Sequence, residues 1–228
     1  MAFELPSGYT ISESTIAARL NASAEAATGN KAAAVRRLEF VDDEDMSGGA
    51  RSYDVFINHR GVDTKHNVAR LLYDRLKHLS RGRVLSFLDN MSMRPGDRLE
   101  ERINEGIRQC KVGVAIFSKH YLDSDFCLHE LASLVEARKV IIPIFYGIKP
   151  SELILPQAVV ESNTTLPPRD IQRIRLALHQ VKYTVGLTYD PATGDLAELV
   201  STAASAVMER IQEAERVPRR QQMIASRL

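Results

Sequence analysis

The stretch KVGVAIFSKHYLDSDFCLHELASLVEARKVIIPIFY, Lys111 to Tyr146, decides the fold class of this 228-residue chain. It begins and ends with nearly continuous apolar runs, KVGVAIFS and VIIPIFY, which are typical of strands covered on both faces. Between the runs, apolar residues at helical spacing form one stripe: Leu128, Leu131, Leu134 and Val135. This order predicts two parallel strands joined by a crossover helix. Pro143 lies inside the second run and predicts an interrupted hydrogen-bond ladder there.

The same alternation continues on both sides of this unit. The runs YDVFIN and RVLSFLD precede it as two more predicted strands, and YTVGLTY follows as a fifth. Each intervening helix has its own apolar stripe: Leu72, Leu76 and Leu79; Leu99, Ile103, Ile107 and Cys110; Ile171, Ile174, Leu178 and Val181; Leu196, Leu199, Val200, Ala203, Val207 and Ile211. The sequence therefore predicts an α/β fold with a five-stranded parallel sheet and helices on both faces.

Changes in composition predict three parts of the chain. Residues 1–50 are rich in Ala, Ser, Glu and Asn and close on an acidic, Gly-rich stretch, which predicts a flexible leader. Residues 51–215 carry the alternating pattern and predict one domain with a sizeable core. Residues 216–228 are basic, and we expect the helical pattern to end at Pro218 and leave a frayed tail.

The overall charge of the chain does not indicate a class of binding partner, so any partner must be recognised by local sites. With 30 basic and 29 acidic residues, a formal net charge of +1, no global field favours nucleic acid or an anionic membrane. No apolar run approaches the roughly 18 to 20 residues of a membrane span, so we expect a cytoplasmic or nucleocytoplasmic protein. The two cysteines, Cys110 and Cys127, are expected to be reduced thiols, and the six histidines lack metal-ligand spacing. We therefore expect no metal and no resident cofactor.

Candidate binding residues lie in the loops after the predicted strands, because ligands bind beyond the carboxyl ends of an open parallel sheet. HRGVDT and DNMSMRPGDR each place an arginine near a glycine, and these arginines could take a pyrophosphate. SKHYLDSDF adds a hydroxyl group and two aromatic rings, either of which could stack on a base. The candidates are Arg60, Gly61, Arg94, Gly96, Ser118, Tyr121 and Phe126. Each has a structural alternative, since loop arginines are usually solvated and Phe126 also suits a core position.

Glu130 and Cys127 lie together on one margin of the stripe in the helix DFCLHELASLVE. A carboxylate in the first turns of a helix also gains from the helix dipole, so the spacing alone favours a solvated Glu130 over a functional one. The chain has no GxGxxG, P-loop, HExxH or GxSxG motif to suggest another chemistry.

Three separated motifs together resemble the plant Toll/interleukin-1 receptor (TIR) domain. They are YDVFINHRGVDTKHNVARLLYDRL, then FLDNMSMRPGDRLEERINEGIRQCKVGVAIFSKHYLDSDFCLHELASLVE, then VIIPIFYGIKPSEL. The resemblance covers roughly Ser52 to Glu152 and extends more weakly to about Glu213. It implies a flavodoxin-like fold, which agrees with the periodicity, and a stand-alone TIR protein.

The resemblance also implies a function. Plant TIR domains of this type are similar to enzymes that cleave NAD⁺ at its nicotinamide glycosidic bond, with a catalytic glutamate that matches Glu130 in CLHEL. It implies self-association, products that are linear or cyclic ADP-ribose and signal in immunity or cell death, and substrate contacts near Arg60 and Gly61. The loop with Arg94 and Gly96 would cover the site. Cys127 matches a cysteine linked to a secondary activity on nucleic acid.

Three departures qualify the resemblance. The family's SFRGEDT is NHRGVDT here, so an acidic residue is replaced by Val62, and the usual tryptophan before CL is Phe126. The serine-histidine pair of many family dimers would fall near Arg70 and Leu71 and is absent. The sequence therefore does not predict assembly through that surface. The alternative function is a non-catalytic adaptor that binds other TIR domains, with a solvated Glu130.

Overall fold

The computed structural model describes residues 3–4, 10–11, 52–157 and 168–225, with the side chains of the last helix described to residue 216. The chain divides into two units, Met1–Arg51 and Ser52–Leu228. In the first unit, Phe3–Glu4 pairs antiparallel with Thr10–Ile11. The rest of the predicted leader lies outside the described residues.

The second unit is built on a five-stranded parallel sheet. Its strands in chain order are β1 Val55–His59, β2 Ser86–Phe87, β3 Val112–Phe117, β4 Val140–Tyr146 and β5 Leu187–Tyr189. Their order across the sheet is β2-β1-β3-β4-β5, and every neighbouring pair is parallel. The predicted α/β class and the five parallel strands are confirmed.

Helices cover both faces of the sheet, as predicted. Their bounds are α1 Gly61–Thr64, α2 Val68–Leu79, α3 Asp89–Ser92, α4 Leu99–Gln109, α5 Asp125–Glu136, α6 Pro168–Lys182 and α7 Leu196–Ala225. Short 3₁₀ turns span Tyr121–Asp123 and Pro150–Glu152. α2 and α7 pack on one face, whereas α5 packs against α4 and α6. None of the helices described is long and apolar enough to cross a membrane.

The alternation of side chains along β1 decides what its last residues touch. Val55 and Ile57 belong to the core cluster that α2 and α7 cover, so Phe56 and Asn58 point to the opposite face. Gly106 of α4 packs on Phe56, which places α4 on that opposite face. Asn58 therefore points towards the side of the sheet where α4 and α5 lie.

The structure corrects two sequence expectations about helix ends. α7 continues past Pro218 to Ala225, so the expected end at Pro218 is wrong. A proline removes one donor and one hydrogen bond, which bends a helix but does not end it when good helix formers follow. Leu79 was expected in a buried stripe but is 40% exposed. It lies in the last turn of α2, just before the chain turns away at Arg81, which has positive φ.

Pro143 occupies the middle of β4, opposite Ala115 of β3. Pairing between β4 and β5 begins one residue later, at Ile144. A proline cannot donate to a ladder, and here the ladder towards β5 starts only beyond it. The pairing of β4 with β3 therefore continues through Pro143, and the pairing of β4 with β5 begins only after it.

Candidate active site

The candidate site lies where the strand order reverses. In the order β2-β1-β3-β4-β5, the chain leaves β1 towards one edge of the sheet and leaves β3 towards the other. Ligands of doubly wound sheets bind at this switch point, beyond the carboxyl ends of the two strands. Asn58 and His59 end β1, and Ser118 follows β3.

Glu130 is buried at this position. α5 begins after the N-cap Ser124, whose hydroxyl accepts from the main-chain N–H of Cys127 at 3.4 Å. Glu130 follows in the second turn and is only 6% exposed. The interpretation of Glu130 as a solvated surface residue is therefore wrong. A carboxylate is rarely buried to this degree unless it has polar partners.

Asn58 supplies such a partner, although it was not among the residues predicted from the sequence. Its side chain is fully buried and donates from Nδ2 to Oε2 of Glu130 at 2.9 Å. The same Nδ2 donates to the main-chain oxygen of Cys127 at 3.1 Å. The end of β1 is thereby joined to both the start of α5 and the Glu130 carboxylate. The one available signal was an asparagine closing the apolar run YDVFIN at the end of a strand.

Tyr121 contributes its hydroxyl to this group, not its ring. The ring is fully buried and lies 4.7 Å from that of Phe117 in an edge contact. The hydroxyl donates to Oδ1 of Asn58 and lies 3.1 Å from the main-chain oxygen of Cys127. Burial raises the pKa of Tyr121 well above its usual range, and Cys127 and Glu130 raise it further. This corrects the expectation that Tyr121 stacks on a base.

Cys127 and Phe126 are also buried, at 4% and 8% exposure. The Cys127 thiol donates to the main-chain oxygen of His59 at 3.3 Å, a second link between α5 and the end of β1. Phe126 leaves little ring surface for a base. In this structure the Cys127 thiol helps to hold the start of α5 against the end of β1.

The loop after β1 is tied to the loop after β3 through Asp63. Oδ2 of Asp63 accepts from the hydroxyl of Ser118 at 2.6 Å and from the main-chain N–H of His120 at 3.3 Å. Ser118 is buried. The two loops that border the switch point are therefore connected by a carboxylate that the sequence analysis did not single out.

Arg60 and Gly61 stand beside these loops. Nε of Arg60 is buried and has no hydrogen-bond partner within the described part of the chain. Gly61 opens α1, and a Cβ there would meet only the side chain of Lys65, at 4.0 Å. Lys65 is 6% exposed and was also missed. Two cationic side chains thus lie next to backbone that a ligand could approach.

His59 connects this region to the loop after β2. Nδ1 of His59 lies 3.1 Å from the hydroxyl of Thr64, and Nε2 lies 3.8 Å from Oδ1 of Asp89. Arg94 and Gly96 follow on an exposed turn, where the main-chain N–H of Arg94 donates to Asp97 at 2.8 Å. Both stay on the surface and outside the buried group around Glu130.

A cavity of about 770 Å³ lies elsewhere, between the ends of β4 and β5 and the start of α7. Lys149, Tyr189, Asp190, Asp195 and Glu198 are among the residues that line it. None of the candidates from the sequence lines it. We place the candidate site at Glu130 because buried polar side chains converge there, whereas the cavity is lined by exposed or half-exposed ones. Among the described residues, no group of three or more His, Cys, Asp or Glu could hold a metal ion.

Comparison with known proteins identifies relatives of the whole chain and of its central part. The family model for the TIR domain matches residues 52–216. The chain is 59% identical over 226 residues to the probable 2' cyclic ADP-D-ribose synthase BdTIR of Brachypodium distachyon, covering 97% of this chain and 99% of that protein. It is 37% identical over 106 residues to disease resistance protein RPS6 of Arabidopsis thaliana, covering 45% of this chain and only 9% of that protein.

A solved structure agrees with the fold. The TIR domains of the activated Roq1 resistosome, which directly recognizes the pathogen effector XopQ, superpose with a TM-score of 0.59. They are 26% identical to this chain, and the match covers 68% of this chain and 99% of theirs.

Proposed function

The chain belongs to the TIR domain family, and from this premise we propose that it cleaves NAD⁺ between nicotinamide and ribose, with Glu130 as the catalytic residue. The observation that carries the proposal is a carboxylate 6% exposed at the switch point of the sheet, held by a hydrogen bond from Asn58. A protein that only binds other TIR domains has no need of a buried carboxylate there.

The chemistry explains how one carboxylate is enough. Ordinary glycosides need an acid to protonate the leaving group as well as a second carboxylate near the sugar. Nicotinamide departs as a neutral molecule from a cationic ring, so no such acid is required. The remaining task is to stabilise positive charge that develops on the ribose, and a fixed, largely dehydrated carboxylate does this more strongly than one in water.

The product depends on the group that attacks the ribose. Water gives linear ADP-ribose, whereas a hydroxyl group of the same molecule gives a cyclic product. The 59% identity to BdTIR, a probable 2' cyclic ADP-D-ribose synthase, extends over nearly the whole length and supports a cyclic ADP-ribose as the product of this chain. The similarity to disease resistance protein RPS6 supports a role in plant immunity, and the Roq1 resistosome supports activation by self-association.

The remaining substrate contacts follow from the positions of the side chains. Arg60 has a buried N–H without a partner among the described residues, and with Gly61 it suits the pyrophosphate. The hydroxyl of Ser118 donates to Asp63 in α1, the helix that Gly61 opens, and we assign it to the same part of the site. Arg94 and Gly96 would reach substrate only if their exposed turn closes over the site, which assembly could bring about. Nucleic acid is a secondary substrate at most in this proposal.

We place the protein in the cytoplasm or in both cytoplasm and nucleus. Both of its cysteines, Cys110 and Cys127, are buried and neither forms a disulfide, and cysteines without disulfides are usual in reducing compartments.

The test compares the purified protein with its Glu130→Gln variant. Both are incubated with NAD⁺ at several protein concentrations, and nicotinamide and ADP-ribose products are separated by chromatography and identified by mass. We expect the variant to lose about 100-fold or more of the activity, as when one preorganised transition-state contact is removed. We expect wild-type activity to rise faster than linearly with protein concentration.

Glu213→Gln is the matched control. Glu213 is an exposed carboxylate in the second half of α7 that pairs with Arg210 at 2.7 Å, so its variant should keep wild-type activity. Equal, inert wild-type and Glu130→Gln proteins at every concentration would overturn the proposal and favour the adaptor.

A further inference from the structure

We propose that Asn58 is the positioning residue for Glu130, and that Tyr121 locks Asn58 in the orientation this requires. The inference rests on the proposed function, because it assigns the parts that aim the Glu130 carboxylate. It is carried by three side chains that are each at most 6% exposed: Tyr121 donates to Asn58, and Asn58 donates to Glu130.

The surrounding groups determine which way the Asn58 amide points. Its NH₂ group has two hydrogens, and two acceptors lie within reach: Oε2 of Glu130 at 2.9 Å and the main-chain oxygen of Cys127 at 3.1 Å. Its oxygen accepts from the hydroxyl of Tyr121. Rotating the amide by half a turn would set its oxygen against two acceptors that cannot donate. Only the observed orientation satisfies all of these groups.

The scaffold behind Asn58 is rigid. Asn58 lies in β1, which is paired on both sides, and its partner in β3 is Ala115. Its second acceptor, the main-chain oxygen of Cys127, belongs to the first turn of the same helix that carries Glu130. One amide therefore fixes both the start of α5 and the carboxylate that projects from it. Side chains held in this way give more exact placement than loop residues do.

The consequence for the reaction is a fixed direction of the carboxylate. A hydrogen bond to a charged acceptor is short and strong, and in a site with little water it is not exchanged for a bond to solvent. Without Asn58, Glu130 can turn away from the ribose or attract a water molecule. A displacement of about 1 Å in a reacting group costs roughly 100-fold in rate.

The experiment measures kcat and KM for NAD⁺ cleavage by wild type, Asn58→Asp, Asn58→Ala and Tyr121→Phe. We expect kcat to fall about 100-fold in both Asn58 variants and about 10-fold in Tyr121→Phe, with KM within about 3-fold of wild type. Tyr121→Phe keeps the ring against Phe117 and removes only the hydroxyl, so it remains informative if the Asn58 variants fold poorly.

The pH profile of Asn58→Asp separates positioning from a general structural role. At neutral pH this variant sets a second carboxylate where Nδ2 stood, 2.9 Å from Oε2 of Glu130. Two carboxylates this close share one proton as the pH falls, and the protonated partner then donates as the amide did. We expect the deficit of Asn58→Asp relative to wild type to narrow by about 10-fold between roughly pH 7.5 and 5.5. A purely structural defect gives the same ratio at each pH.

Tyr53→Phe is the matched control. Tyr53 is also 6% exposed, but its hydroxyl accepts from Arg102 at 3.1 Å and it lies before the opposite end of β1. It should keep the wild-type kcat. Full kcat in Asn58→Asp and Asn58→Ala, or a deficit that does not change with pH, would overturn the inference.

A measurement that does not depend on NAD⁺ cleavage tests this inference separately from the proposed function. The side-chain NH₂ signal of Asn58 in an amide NMR spectrum is assigned by its loss in Asn58→Asp. We expect its hydrogens to exchange with solvent at least 10-fold more slowly than those of exposed asparagines, and to lose that protection in Tyr121→Phe. Rapid exchange of the Asn58 side-chain hydrogens in wild type would refute the proposed role of Tyr121 in orienting Asn58, even if NAD⁺ is cleaved. If exchange is slow but wild type releases no nicotinamide, the orientation of Asn58 by Tyr121 is supported and the proposed function is refuted instead.

Discussion

Acid will destabilise the folded domain through His129, the neighbour of Glu130 on α5. His129 is 8% exposed, and burial lowers its pKa from 6.5 to about 4. The groups that face it are Asp170 and Arg173 of α6 and Glu136 of α5 itself. Asp170 and Glu136 favour the charged ring and Arg173 opposes it, but burial has the largest effect.

The magnitude follows from the two pKa values. Below pH 6.5 the unfolded chain takes up a proton on this ring that the folded chain refuses until about pH 4. Stability is therefore lost as the pH falls through this window. The free energy of unfolding should drop by about 2 kcal/mol between roughly pH 7.5 and pH 5 from this residue alone.

Urea denaturation followed by circular dichroism tests this at both pH values, for wild type and His129→Gln. Glutamine cannot titrate, so the variant should lose about 2 kcal/mol less than wild type over the same interval. Carboxylates that titrate in both proteins contribute equally to the two losses of stability, so their contributions cancel in this comparison. An equal loss in the two proteins would refute the assignment of the acid sensitivity to His129.

Two further changes test the packing that supports the site. Gly106→Ala gains about 1 kcal/mol of helix propensity, but its Cβ would lie 2.9 Å from the ring of Phe87, which stacks on Phe56. Overpacking costs about 1 to 3 kcal/mol, so we expect net destabilisation in urea, and a more stable variant would show that the rings can move. Ser124→Ala removes the N-cap of α5 and should cost about 1 kcal/mol, a fall of about 3 °C in Tm by calorimetry. An unchanged Tm would mean that the long 3.4 Å contact with Cys127 adds nothing.

Hydrophobic pattern predicted the strands that are covered on both faces but not the pairing at the sheet edges. The runs that became β3 and β4 lie in the middle of the sheet, so burial and pattern coincide. RVLSFLD has the same apolar character, yet only Ser86–Phe87 pairs. This strand has one neighbour, β1, and the chain turns into α3 at Asp89. The number of neighbours is a property of the sheet that a strand's own sequence does not encode.

The candidate site also contains residues that the sequence could identify and residues whose roles depend on the fold. Glu130 could be found because a motif resemblance singles it out, although periodicity alone favoured a solvated residue. Asn58 could not, because its role depends on the face of β1 that α5 covers. The aromatic type of Tyr121 predicted a stacking role, whereas its buried position leaves only the hydroxyl to act. Residue type suggests which chemistry is available, but the fold decides which atom is presented.

The carboxylates around the large cavity show why burial, and not volume, identifies the proposed reaction centre. Asp190 accepts from the main-chain N–H of Ala192 and from Thr193, and Asp195 accepts from the first N–H groups of α7. These carboxylates are occupied in forming the turn between β5 and α7, and they can do so in water. Glu130 instead lies within α5 and accepts from Asn58 of β1. Burying the carboxylate costs free energy, and the Asn58 hydrogen bond offsets part of this cost. A carboxylate buried in this way would stabilise the positive charge that develops on the ribose.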